Sequence, residues 1–253
     1  MTDARRRELA RLIVERGFVR VTEAADELGV SEVTVRADLG TLEAAGGIVR
    51  VHGGAMPAAA VRESSLEASL DRDAAAKRAI GRAAADLVSS GESLYLDAGS
   101  TAMALADALV ARRELHDIVV ATSGLTVALA LESAIPRFTV IVIGGTLRPL
   151  QHSLVNPFAA PMIESLRFDT AFIGCNGVDP EAGVTNRGLP DAEVKRLAIR
   201  ASRRRVIIAD GTKIGRVDLA HIAPVDAFDE LVTAGEVDAA VAERLDVNIR
   251  ICG

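Results

Sequence analysis

Apolar residues in the N-terminal part of the chain recur at helical spacing. Leu9, Leu12 and Ile13 share one face of a helix predicted over Asp3 to Arg16, with Phe18 facing the same core and Gly17 as the stop. Thr22 is placed to cap a second helix, Gly29-Val30 to turn the chain, and Ser31 to cap a third that runs to Ala44 or Ala45. In that third helix Val35, Leu39 and Leu42 fall at i, i+4 and i+7 and form a buried stripe. Glu32, Thr34, Arg36 and Ala37 lie off the stripe, near the N-terminal end. Gly46-Gly47 stop the helix, and the segment from Ile48 to Gly54 suits a small hairpin carrying Arg50, His52 and Gly53. From Met56 to Ser69 no apolar stripe is sustained, so a linker is expected there, and Asp71 or Asp73 then begins a helix through Lys77, Ile80 and Leu87 that ends near Ser89-Ser90-Gly91.

Beyond Gly91 strand-length apolar runs alternate with helical patterns. The predicted strands are Ser93–Asp97, Ile118–Thr122, Thr139–Ile143, Thr170–Gly174, Val206–Asp210 and Glu230–Thr233. The predicted helices are Ala102–Arg112, Leu125–Ser133, Pro157–Leu166 and Asp191–Ser202. Such alternation predicts an α/β domain with a mainly parallel sheet covered on both faces. The expected organisation is an N-terminal reader over 1–55, a linker over 56–73 and a larger domain over 74–253.

Composition narrows the classes. At 49% hydrophobic and 25% charged residues, the chain of 253 residues can bury a sizeable core. No apolar run is long enough to span a bilayer, and MTDARRRELARL lacks the apolar core of a signal peptide. Cys175 and Cys252 are the only cysteines and lie far apart, which predicts a reducing, cytoplasmic setting and no structural zinc. His116, His152 and His221 lack ligand-type spacing, so no metal or cofactor is expected. The single tyrosine and absent tryptophan argue against stacking on single-stranded nucleic acid.

Two helices about a tight turn, followed by a basic glycine-bounded hairpin, are the shape that enters a major groove. An ordinary three-helix bundle has the same apolar pattern. Net charge −6 speaks against a generally basic protein, and residues 1–54 hold eight Arg against nine Asp or Glu. Contact with duplex DNA must therefore come from local clustering of Arg5, Arg6, Arg7, Arg36 and Arg50, although three arginines on a solvated face also serve solubility.

In the larger domain, small polar loops follow the predicted strands: Asp97-Ala98-Gly99-Ser100-Thr101, Thr122-Ser123-Gly124, Gly144-Gly145-Thr146-Leu147-Arg148, Gly174-Cys175-Asn176-Gly177 and Ala209-Asp210-Gly211-Thr212-Lys213. Open parallel sheets bind ligands at this edge. Each loop alone reads as a turn. Converging, they would make a pocket of hydroxyls, backbone donors and cations suited to a small phosphorylated, polyhydroxylated ligand. Lys195, beside Glu193 and Asp191 on a helix, fits either a phosphate contact or a salt bridge.

These motifs resemble the DeoR family of bacterial transcriptional regulators. Its signature Ser-x-x-Thr-[Ile/Val]-Arg-Arg-Asp-Leu is matched by Ser31 to Leu39, and its Arg-Val-His-Gly-Gly-Ala by Arg50 to Ala55. The second arginine of that signature is Ala37 here, which removes one DNA contact. The family's effector-domain motifs are matched at Asp97–Thr101, Thr122–Gly124, Gly144–Arg148, Phe168–Gly174, Asp191–Lys195 and Asp210–Lys213, with departures at Ser123, Asn156 and Ala234. The resemblance implies a winged helix-turn-helix repressor of carbohydrate genes, acting as a homo-oligomer on double-stranded operator DNA. It implies Ser31, Glu32, Thr34, Arg36, Arg50, His52 and Gly53 at the DNA. For a sugar phosphate it implies Asp97, Gly99, Ser100, Thr101, Thr122, Ser123, Gly124, Gly144, Gly145, Thr146, Arg148, Asn176, Lys195, Asp210 and Lys213.

The larger domain also resembles the ribose-phosphate isomerase fold. The acidic catalytic segment of that family, laid on from Asp169-Thr170-Ala171-Phe172, falls on Ile173 to Gly177, so its two aspartates become Ile173 and Asn176. Neither side chain can remove a proton from carbon. Binding without catalysis is expected. An isomerase with an accessory N-terminal domain, and a phosphosugar sensor whose helix-turn-helix only dimerises, are the rival readings.

Overall fold

The computed structural model describes residues 2–51, 53–58 and 65–253. The N-terminal unit comprises α1 (Thr2–Arg16), β1 (Val19–Arg20), α2 (Val21–Leu28), α3 (Glu32–Ala44) and the strands β2 (Ile48–Val51) and β3 (Gly54–Pro57). Leu9, Leu12, Ile13, Val35 and Leu39 close its core as their spacing requires. Ser31 caps α3 by accepting the Thr34 N–H at 3.2 Å. Thr22 does not cap α2: that helix starts at Val21, directly after β1, with Arg20 at the cap position and no side chain on the free N–H groups. The hairpin gains a third strand, because Val19 and Arg20 pair with Ala55 and Gly54 of β3. His52, expected in this hairpin, lies outside the described residues.

The expected linker is not featureless. Met56 is buried in β3, and α4 (Leu66–Asp71) is a short helix capped by Ser65 and anchored by buried Leu66. The Leu66 N–H donates to the Leu150 carbonyl at 2.7 Å. Residues 59–64 lie outside the described residues.

In chain order the remaining elements are α5 (Ala74–Ala85), β4 (Ser93–Leu96), α6 (Ser100–Ala111), β5 (Ile118–Thr122), α7 (Leu125–Leu131), β6 (Phe138–Val142), β7 (Thr146–Arg148), β8 (Ser153–Val155), α8 (Ala159–Glu164) and β9 (Phe168–Ile173). They continue with β10 (Gly177–Asp179), β11 (Gly183–Asn186), α9 (Leu189–Arg200), β12 (Ser202–Ile208), β13 (Ala220–Ala223), β14 (Glu230–Ala234), α10 (Ala239–Ala242) and β15 (Asn248–Cys252). All six predicted strands are present within a few residues of their expected ends. Together with β15, which was not expected, they form a seven-stranded sheet in the order β15-β14-β12-β9-β4-β5-β6, and every pairing is parallel.

One apolar core, with Leu94, Ile80, Leu105 and Val127, joins the sheet to α5, α6 and α7. The other, with Tyr95, Ile163 and Leu197, joins it to α8 and α9. The helices α5 and α6 cross so closely that a methyl on Gly81 would stand 2.4 Å from the Ala104 carbonyl oxygen, so only glycine fits there. Chain order reverses between β4 and β9 at the middle of the sheet. Ligands enter α/β sheets at such a switch point, outside the carboxyl ends of the strands.

Candidate functional site

On the N-terminal unit, α3 presents Glu32 and Arg36 to solvent as an i, i+4 pair at 3.1 Å, with the Arg36 side chain 57% exposed. Thr34 is half-buried and shares a 2.9 Å hydrogen bond with the Ser31 hydroxyl, so the cap itself holds it in place. Val33 stands 76% exposed between them. It was not expected in this face, although an apolar residue off the buried stripe is a readable signal, and such a group suits a thymine methyl. Arg50 projects from β2 beside Glu43, and Gly53 supplies the positive φ of the hairpin turn.

Arg5 and Arg6, considered for phosphate contacts, are otherwise engaged. Their guanidinium groups donate to opposite oxygens of Asp38 at 2.6 and 2.9 Å. Asp38 is only 2% exposed, so this pair ties α1 to α3. The Arg5 hydrogen bond, helped by that of Arg6, holds the Asp38 carboxyl below its ordinary range. A carboxyl lowered in the folded state adds stability above its unfolded pKa of about 3.9 and loses it as pH falls through the lowered value. Asp38→Asn should therefore melt at lower temperature than the parent at pH 7, and the gap should close under acid. A gap that persists at low pH would contradict this.

At the switch point a cleft of about 510 Å³ opens above the sheet. Three of the five expected loops reach it: Asp97–Thr101, Gly174–Asn176 and the loop holding Asp210 and Lys213. They follow β4, β9 and β12, which are adjacent in the sheet, and that adjacency is why they meet. Lys195 enters from α9.

Asp97 is the fixed point. Its carboxylate accepts Lys195 Nζ at 2.6 Å, Gly174 N–H at 2.9 Å and Ala98 N–H at 2.8 Å, and it is 2% exposed. Asp97 therefore shapes the loop and orients Lys195, which also donates to the Gly174 carbonyl at 2.8 Å. Gly99 follows with φ +111°, and no side chain caps α6, so the N–H groups of its first turn open beside Ser100 and Thr101. The Asn176 side-chain oxygen accepts Arg187 N–H at 2.9 Å, and Asp210 accepts Thr212 N–H at 3.1 Å. Burial pushes the Cys175 thiol up to about 12, so it stays protonated at the cleft wall.

The loops after β5 and β6 do not line the cleft, because those strands lie outward from the switch point. Thr122 accepts the Gly124 N–H at 3.0 Å, and Ser123 shares a 3.2 Å hydrogen bond with the buried Tyr95 hydroxyl. Gly124 packs on Ala98. Gly144 lies against Met162, and Gly145 approaches Val155 so closely that a side chain would collide with its carbonyl. Thr146 is exposed on β7. Arg148 turns instead to Asp191, and it is Asp191 that faces the cleft.

Sequence reasoning missed several lining residues. Lys77 is 6% exposed and donates from α5 to the carbonyls of Ser69, at 2.5 Å, and Arg72. Burial lowers its pKa. A lysine on the same helical stripe as Ile80 was its signal. Arg187, paired with Asp218 at 3.0 Å, gave none. The N-terminal unit contributes as well: Gly17, Phe18 and Met56 close one side of the cleft.

Among the described residues no helix is long and apolar enough to cross a membrane. The profile of the DeoR-like helix-turn-helix domain matches residues 5–59, and that of the DeoR C-terminal sensor domain residues 72–235. The HTH-type transcriptional regulator GlpR of Haloferax volcanii is 32% identical over 243 residues, covering 96% of this chain and 93% of its own. The lactose phosphotransferase system repressor of Staphylococcus aureus is 32% identical over 228 residues, 89% of each chain. A ribose 5-phosphate isomerase structure from Methanocaldococcus jannaschii overlaps 54% of this chain and 52% of its own at 18% identity, with a TM-score of 0.40, too loose a match to carry weight. With both domain profiles matched in order and relatives aligned along nearly their whole length, the chain belongs to the DeoR family of transcriptional regulators.

Proposed function

We propose that the protein is a cytoplasmic repressor of carbohydrate-metabolism genes whose grip on operator DNA is set by a sugar phosphate in the cleft at the switch point. The α3 face with Arg36 and Thr34 reads the major groove, and Arg50 on the hairpin holds a phosphate. Two copies on a symmetric operator place their recognition helices about 34 Å apart, or a multiple of that. In the cleft, the N–H groups at Gly99–Thr101, with Lys195 and Lys213, take the anion. Asn176 and the hydroxyls take the sugar.

The observation that carries this reading is the make-up of the cleft floor. It holds backbone donors and the cations Lys195 and Lys213 beside Asp97, Asp191 and Asp210, while the two positions matched to the isomerase acids are Ile173, buried in the core and off the cleft lining, and Asn176, a neutral amide. The lactose system repressor among the relatives, by its name, agrees with a sugar-responsive role. A thermal-shift screen against tetrose, pentose and hexose phosphates tests it. The expected result is stabilisation by a subset of them, without turnover. Stabilisation by none, or isomerisation of any, would overturn the reading.

A further inference from the structure

Phe18 and Gly17 belong to the DNA-reading unit yet line the cleft of the sensor domain. The Phe18 ring lies against the hairpin: a methyl on Gly54 would stand 2.5 Å from it. Gly54 in turn pairs with Arg20 across β1 and β3, and Val21 N–H donates to the Gly53 carbonyl at 2.9 Å. Phe18 is therefore packed directly against the hairpin that carries Arg50.

The Arg20 guanidinium sits 5.7 Å over the same ring and reaches across to the sensor domain. It forks onto both carboxylate oxygens of Asp179 and pairs with Glu181 at 3.1 Å, with its side chain only 13% exposed. Asp179 is pre-set to receive it, accepting the N–H groups of Glu181 and Ala182 at 2.9 and 2.8 Å. The anchor stands on the β10–β11 hairpin, whose base carries Asn176 and Arg187 into the cleft. One hairpin thus forms a cleft wall and holds the DNA-reading unit.

We infer that the ligand site is completed by the DNA-binding domain: Gly17 and Phe18 contact the bound sugar phosphate, and the Arg20 clamp on Asp179 and Glu181 transmits occupancy to the hairpin. This rests on the cleft being the effector site. A ligand in the cleft meets the turn between α1 and β1 directly, so the signal needs no passage through the sheet. Because coupling between two sites is reciprocal, DNA that shifts the hairpin also alters ligand affinity. Arg20 is a positioning residue here, since it touches Phe18 and the sensor domain and does not line the cleft.

Hydrogen exchange on the full-length protein, with the tetrose, pentose and hexose phosphates of that screen and with inorganic phosphate as the smallest anion, tests this. The expected result is slower exchange at the Asp97–Thr101 loop together with a change at residues 17–21 and in the hairpin strands. In Arg20→Ala the loop should still be protected, while the response of residues 17–21 and the hairpin falls by about fivefold or more, the lower end of allosteric couplings. Asp179→Asn, which keeps the acceptor for its own turn but removes the charge, should behave the same way. Protection confined to the sensor loops of the parent would overturn the inference and leave the proposed function standing. So would parent-like responses in both variants. No protection anywhere with any of these probes would overturn the effector-site reading, and this inference with it.

Discussion

Replacing Asp97 by Ala is expected to cost about 3–5 kcal/mol of folding stability, the range for removing one partner of a buried ion pair. Lys195, its side chain 9% exposed, would lose its only carboxylate partner among the described residues, and the Gly174 and Ala98 N–H groups would lose their acceptor. Denaturant unfolding measures the loss. Pairing Asp97→Leu with Lys195→Met should cost less than the sum of the single changes, because no lone charge is then left buried. Additive losses below about 1 kcal/mol each would mark the pair as surface-like. The response to sugar phosphate should vanish in Asp97→Ala at temperatures where it stays folded, while DNA binding persists. Position 97 thus couples fold and site: the residue that shapes the loop also aims the lysine.

Arg36→Ala should weaken operator binding roughly 5–150-fold, the span for losing one base-reading side chain. Folding should hardly change, because its exposed pair with Glu32 is of a kind that contributes well under about 1 kcal/mol. Sugar-phosphate binding should be untouched. The exposed Ala37 beside it offers the converse experiment. Ala37→Arg should tighten binding and steepen its salt dependence by about one unit of log–log slope, as for one added phosphate contact. Gel-shift titrations at several salt concentrations check both. Unchanged operator affinity in Arg36→Ala would count against α3 as the reader.

The strands and helices of the sensor domain were legible because its central strands are continuous apolar runs and its helices keep one apolar face. Asn248–Cys252 was not, since an edge strand reading polar-apolar-polar-apolar carries little signal in five residues. The small sheet of β10, β11 and β13 and the β7–β8 hairpin escaped for a related reason. Strands of three or four residues hold too few alternations to stand out.

Motif chemistry located loops, but it did not locate where they meet. Thr122–Gly124 and Gly144–Arg148 look like binding loops in sequence, yet they follow strands one and two places outward from the switch point. Their glycines permit close packing, and Ser123 satisfies a buried tyrosine. Conversely, Phe18 reads as part of the N-terminal core, and Arg20 carries no local signal at all. The place of Phe18 at the cleft and the reach of Arg20 to Asp179 depend on long-range contacts between domains, which no local period encodes.

The most direct test of the whole account is an anisotropy titration of labelled duplex from upstream of the coding sequence. It would be run at low ionic strength, with and without the sugar phosphate that most stabilises the protein. The account predicts saturable, salt-sensitive binding whose midpoint the sugar phosphate moves by at least about fivefold. Binding that is absent at low salt, or whose midpoint the ligand leaves in place, would contradict it.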